Sequence, residues 1–479
     1  MRRAESSPSN RTNCDKWRAG QWLPAYARSG FAVCAIFLIG TTACLPSQQS
    51  PDDAVISIAP TVDGDRPNGG ALDVAISADG RVIAFSTLAT NLVFSLPSGM
   101  APAAKSIVRN QLNSSSVAQL YVFDVATREL QFISVNAALE PANGACTRPA
   151  LSHDGRYVCY LSSADNLVTT DRNGASDVFV FDRETATTTR VSVSETGAEA
   201  DGASIECDIS ADGSCIVFTS LAENLVETDV NGVPDIFVRD LASKTTTRVN
   251  LSTDGLQAVA PSGAPSISDD GNVIAFHSDT DRLVENDTNE ARDVFVHFRE
   301  MGVTQRMLTR RGFEPDGDNF SPRISGDGAW VAFVSRAGNM IDDDVTSSDD
   351  VYLTEIATGR VFLCTVDEDG EQLREGGVAP SVSFDGAQVA FVVQRNKFDE
   401  TTRRDFIDTD ILLYRRSQEA TTGILANAVP ATLSPCAGLL CPEAPTTTMP
   451  RLSGDGCTIG YLLSDQSATV PEVERRCEE

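Results

Sequence analysis

Three loops of the sequence hold two aspartates and an asparagine at one spacing: Asp171, Asn173 and Asp177; Asp229, Asn231 and Asp235; Asp287, Asn289 and Asp293. A fourth, Asp344 to Asp350, keeps the aspartates but has Thr346 in place of the asparagine. Carboxylate and amide oxygens at positions one, three and seven are hard donors of the kind Ca2+ takes. Each loop offers three such side chains, whereas calcium takes roughly six to eight oxygens, and none supplies the bidentate Glu of an EF-hand. Carbonyls, waters or a neighbouring loop would have to complete the shell. The same residues also fit a structural role, because Asp and Asn side chains bond their own backbone and shape turns. The sequence leaves both readings open, with Ca2+ the one cofactor it allows.

Other chemistry is thinly represented. The three histidines, His153, His277 and His297, have no zinc-ligand spacing, and carboxylates are too abundant for an acid/base pair to stand out. No catalytic residue is assigned. Cysteines suit an oxidising compartment. Cys436 with Cys441, inside a Pro-rich insertion, and Cys457 with Cys477, at the C-terminal end, are candidate disulfides. Cys146, Cys159, Cys207 and Cys215 are a further set able to pair among themselves, and Cys364 reads as a buried apolar residue.

The N-terminal segment reads as an address. Six basic side chains precede an apolar run from Phe31 to Ile39, and Ala43-Cys44 follows it. That layout is an export signal, with Cys44 the candidate lipid-attachment residue of a lipoprotein over residues 1–44. The apolar run is shorter than the ~20 residues of a spanning helix. Residues 45–53 then form a polar tether. Without residues 1–44, which carry six basic and two acidic side chains, the formal charge moves from −29 to about −33. Such acidity argues against nucleic acid and anionic headgroups and for cations or basic proteins as partners.

The elements that carry the acidic loops are repeated. Asp-Gly follows a strand ending in Ser at Asp79, Asp154, Asp212, Asp270, Asp327, Asp385 and Asp455, with spacings of 75, 58, 58, 57, 58 and 70 residues. The excess lies in two insertions, 94–117 and 427–448. Four short alternating strands per unit, with no helical period, predict an all-β fold, a seven-bladed β-propeller of four-stranded antiparallel blades over residues 54–479. The last unit lacks an outer strand, and residues 54–58 read as an orphan fourth strand. Pairing the N-terminal strand with the last blade is expected to close the ring.

The repeat, ISxDGxxxAFxS followed by NLVxxDxNGxxDxFVxD, resembles the TolB-like, WD-related propeller repeats of bacterial envelope proteins over nearly all of residues 54–463. The chain has no room for the extra α/β domain that accompanies TolB itself. The resemblance implies a protein of the bacterial cell envelope, a periplasm-facing lipoprotein or a secreted protein, whose monomeric propeller meets the membrane only through a lipid anchor. Its expected role is non-enzymatic, an acidic rim that recognises a protein, peptide or envelope polymer, with calcium as a possible aid. The alternative is a propeller hydrolase or lyase acting on saccharide or peptide.

Overall fold

Each repeat is nucleated by its Ser-x-Asp-Gly turn. In the computed structural model, Ser210 Oγ donates to Asp212 Oδ1 at 2.9 Å and accepts from the backbone N–H of Cys215 at 3.0 Å. Asp212 Oδ1 also accepts from the N–H of Ser214. Gly213 holds φ at +74°, and a Cβ there would lie 2.2 Å from the Tyr157 ring of the preceding blade. The glycine is therefore required both by its backbone and by the neighbour's close approach. The structure describes residues 37–38, 56–57, 67–97, 102–113, 115–346, 348–367, 369–399, 404–417, 420–423, 450–456, 458–465 and 468–475, all within one unit, Phe31–Glu479.

Six four-stranded antiparallel blades follow in chain order. Blade one is Ala71–Ile76, Val82–Thr87, Gln119–Asp124 and Glu129–Phe132; blade three is Ser204–Ile209, Cys215–Ser220, Asp235–Asp240 and Thr245–Arg248. The inner strands of blades two, four, five and six are Cys146–Leu151, Ser262–Ile267, Asn319–Ile324 and Val378–Val382. The expected count of seven is thus corrected to six. The remaining sheet is five-stranded, in the order Ile56–Ser57, Phe37–Leu38, Ala468–Arg475, Thr458–Asp465, Arg451–Leu452. Phe37–Leu38 lies between the N-terminal strand and the last hairpin and joins that hairpin in parallel. A short final repeat supplies three strands only, and the other two come from distant segments, so no four-stranded antiparallel blade is built there.

Among the described residues the all-β propeller carries one helix, in an insertion. The insertion after the first hairpin holds a helix, Pro102–Leu112, with Pro at its first position, where the missing N–H costs nothing. Val108 and Leu112 of this helix are buried against Phe94, Tyr121 and Phe132 of blade one.

Core residues lie between adjacent blades. Cys159, Leu161, Val178 and Val180 of blade two pack on Ile216, Phe218 and Phe237 of blade three, all fully buried or nearly so. Burial of each such large side chain contributes roughly 1.5–3 kcal/mol. On the axis, the Asp-Gly turns are tied to one another by backbone hydrogen bonds. Ala78 donates to His153, His153 to Ala211, Ala211 to Asp269 and Asp269 to Gly326; Asp327 donates to Phe384, Phe384 to Gly454 and Asp455 back to Ala78. This chain of bonds closes on itself around a central channel.

Candidate functional site

The rim loops of blades two to four are built alike. Asp235 lies at the start of the third strand and is fully buried. Its Oδ1 accepts from Asn250 Nδ2, and its Oδ2 accepts from Asn231 Nδ2 at 2.8 Å and Arg248 Nη1 at 3.2 Å. Arg248 Nη1 is also 3.1 Å from Asp229. In blade two Arg190 meets Asp171, Asp177 and Glu199 at 3.5, 3.3 and 2.9 Å. In blade four Arg306 meets Asp287, Asp293 and Glu314 at 2.7, 3.1 and 2.7 Å. The cation between the two loop aspartates is therefore a guanidinium. Asn173, Asn231 and Asn289 each accept from the N–H two residues on, the bond of an Asx turn.

Blade five departs from this plan. Leu363 pairs with Tyr352 as Arg248 pairs with Phe237, so no arginine is available. Gln372 Nε2 takes its place, donating to Asp344, Thr346 and Asp350 at 2.9, 3.1 and 3.0 Å, and the Tyr352 hydroxyl donates to Asp344. Burial raises the pKa values of Asp287 and Asp350, and pushes those of Asp171, Asp229 and Asp293 up to about 6. In Asp171 and Asp229 the second loop aspartate adds to the rise, and the arginine opposes it. Among the described residues no group of three or more His, Cys, Asp or Glu is arranged to hold a metal ion.

The central channel carries a second group of charges, which the sequence reading does not single out. The inner strands of the blades place Asp73, Arg148 and Glu206 at one level and Asp208, Arg323 and Arg451 at the next. Arg148 Nη1 donates to Glu206 Oε1 at 3.2 Å, and Glu206 Oε2 accepts from the N–H of Ala264 and from Thr219 Oγ1. Asp73 Oδ2 accepts from Ser86 Oγ and from the N–H of Arg148. The repeated Pro-x-(Ile or Leu)-Ser ending of the inner strands, as in Pro322-Arg323-Ile324-Ser325 and Pro450-Arg451-Leu452-Ser453, is the signal that aligns these positions.

The fold is a β-propeller. The chain is similar to an oligogalacturonate lyase solved in complex with manganese, at 12% identity and TM-score 0.53 over 94% of this chain and 98% of that one. It is likewise similar to an oligogalacturonate lyase from Vibrio parahaemolyticus, at 10% identity and TM-score 0.53 over the same shares. A putative TolB from Agrobacterium tumefaciens is similar at 15% identity and TM-score 0.41, over 74% of this chain and 97% of that one. At these identities the likeness concerns the fold alone. No protein-family model and no curated protein matches the chain.

The histidines are dispersed in the structure as in the sequence. His153 Nδ1 lies 3.2 Å from Asp269 Oδ2 on the turn ring. His297 shares a hydrogen bond with Thr304, and burial pulls both His277 and His297 down to about 4. Cys44 and the candidate pairs Cys436 with Cys441 and Cys457 with Cys477 lie outside the described residues. Cys146, Cys159, Cys207 and Cys215 are free thiols. No described helix is long and apolar enough to cross a membrane.

Proposed function

We propose that this chain is an exported, non-enzymatic envelope protein whose propeller binds a basic protein or peptide at its acidic rim. In this reading residues 1–44 are the export signal, whose removal before Cys44 takes Phe37–Leu38 out of the last sheet; Cys44 carries the lipid, residues 45–53 are the tether and residues 54–479 are the binding domain. One observation carries the proposal. In blades two to four a single arginine, Arg190, Arg248 or Arg306, serves two or three carboxylates, while Glu223, Glu227, Glu285 and Glu290 of the same loops remain exposed. A rim whose inner clusters keep a net negative charge and whose outer carboxylates face solvent attracts a cationic surface at long range. The Asp and Asn residues of the loops then serve as turn formers that seat the arginines, not as calcium ligands.

Affinity capture on the immobilised protein from detergent-solubilised envelopes tests this reading. It predicts a stoichiometric basic partner that is released by salt and retained in chelator, together with an unchanged melting temperature in millimolar calcium. Failure to capture any stoichiometric partner, or capture that requires calcium, overturns it.

A second reading is an enzyme acting on an acidic saccharide. The channel arginines Arg148, Arg323 and Arg451 favour it, as does the likeness of fold to the lyases. Incubation with polygalacturonate, followed by the ultraviolet absorbance of an unsaturated product, separates the two.

A further inference from the structure

The inner strands are stitched together by side chains that accept hydrogen bonds. Asp208 Oδ2 accepts from the N–H of Ile267 at 3.2 Å, Ser266 Oγ from that of Ile324 at 3.3 Å, and Ser381 Oγ from that of Leu452 at 2.9 Å. Each acceptor occupies one register position of its strand, opposite Val217, Ala275 and Ala390. Arg323, opposite Ala332, and Arg451, opposite Gly460, occupy that same position. Arginine has only donors and cannot make this inter-blade bond. Ala75 and Ala150 fill the position in the other two inner strands and lack the bond as well, but only the arginines bring charged donors to it.

Both side chains line one cavity of about 180 Å³ in the channel, together with Asp208 and Ser381. Among the described residues neither guanidinium has a hydrogen-bond or ion-pair partner. The nearby carboxylates are committed elsewhere: Asp73 to Ser86 and the N–H of Arg148, Asp208 to the N–H groups of Ile209 and Ile267. Two cations thus share a confined space with their donors unspent. Burial, and next the charge of Arg323, pull the Arg451 pKa down to about 10, against the opposing charges of Asp208 and Asp73.

We propose that the central channel binds a small oxyanion, a carboxylate or a phosphate, between Arg323 and Arg451. A planar guanidinium presents parallel N–H donors that match two oxygens of such a group, and two guanidinia together supply both the charge and the fork. The proposal rests on neither reading of the rim.

Calorimetric titration of the full chain with inorganic phosphate and, separately, with malonate at matched ionic strength tests it. Saturable one-to-one binding of at least one anion is expected, and the preferred arm tells phosphate from carboxylate. Arg323→Gln and Arg451→Gln are each expected to weaken that binding tenfold or more, and the double variant to abolish it. The absence of saturable heat with both anions overturns the proposal, as does undiminished binding by the double variant. Melting in anion-free buffer supplies a second readout. Removing one of two like charges is expected to leave the Arg451→Gln melting temperature unchanged or raised, whereas a marked fall assigns the arginine to the scaffold and overturns the site.

Discussion

Arg248 Nη1 stands 3.2 Å from Asp235 Oδ2, and both side chains are almost wholly withdrawn from water. Asp229 completes the cluster at 3.1 Å. In blade five the corresponding aspartates lack an arginine and are held by neutral donors from Gln372 and Tyr352. The register position therefore tolerates Leu363 only because other groups reach the carboxylates. Arg248→Leu introduces that residue without its compensating donors and strands two buried carboxylates. A stability loss of roughly 3–5 kcal/mol is expected in urea unfolding, the usual cost of breaking a buried pair from one side. Adding Asp229→Asn to Arg248→Leu is expected to recover part of it, since one stranded charge is then gone. A loss below about 1 kcal/mol contradicts the cluster's role.

The same clusters set a pH dependence. Asp171, Asp229 and Asp293 are pushed up to about 6, so the native state holds their protons more tightly than the unfolded chain does. Their contribution is unfavourable above about 6 and is relieved as pH falls toward the ordinary carboxylate value near 4. The melting temperature is expected to rise between roughly pH 7.5 and pH 5.5, helped by the shrinking self-repulsion of a chain of net charge −29. Asp182, drawn down to about 2 by the Arg156 hydrogen bonds, acts in the opposite sense, but only as pH falls through the carboxylate range. Asp229→Asn isolates the cluster's share by flattening the slope. A wild-type midpoint that falls over that interval, or an Asp229→Asn slope equal to wild type, counts against the assignment.

Much of this architecture is legible in the sequence because it is local. The Ser and Asp of each turn bond within five residues, so the motif marks the same hairpin wherever it appears. Even the arginine clusters leave a trace: Arg190, Arg248 and Arg306 each follow the last loop aspartate by thirteen residues, and Leu363 fills that place in blade five. Recognising the trace requires knowing that third and fourth strands pair in this register. The last sheet leaves no such trace, because Phe37–Leu38 meets Ala468–Arg475 across most of the chain. The helix Pro102–Leu112 is hidden in an insertion with no counterpart in other repeats. The channel charges are single residues on different strands, and the closing of the fold alone makes Arg323 and Arg451 neighbours.

Cys159 Sγ lies 3.4 Å from Cys207 Sγ, across the joint between blades two and three. Cys159 is fully buried, and burial, then the neighbouring thiol, raise its pKa well above that of a free cysteine. Cys207 is half-buried on the inner strand of blade three, so it is the thiol an external oxidant reaches. With oxidised glutathione, the Cys207 thiolate attacks one glutathione sulfur and expels the other as a thiol. Cys159 then gives up its proton and attacks Cys207, releasing the second glutathione. Two protein thiols are oxidised and one glutathione disulfide is reduced. The second step is expected to be slow, because little of Cys159 is thiolate. Peptide mapping without reduction is expected to recover the 159–207 link, with Cys146 and Cys215 still free. Cys159→Ser is expected to accumulate Cys207 in its glutathione-bound form. The cross-link closes a loop of 48 residues and is expected to add roughly 2–4 kcal/mol to stability in urea. Recovery of both thiols unmodified after prolonged oxidation, with the native fold intact, defeats the pairing.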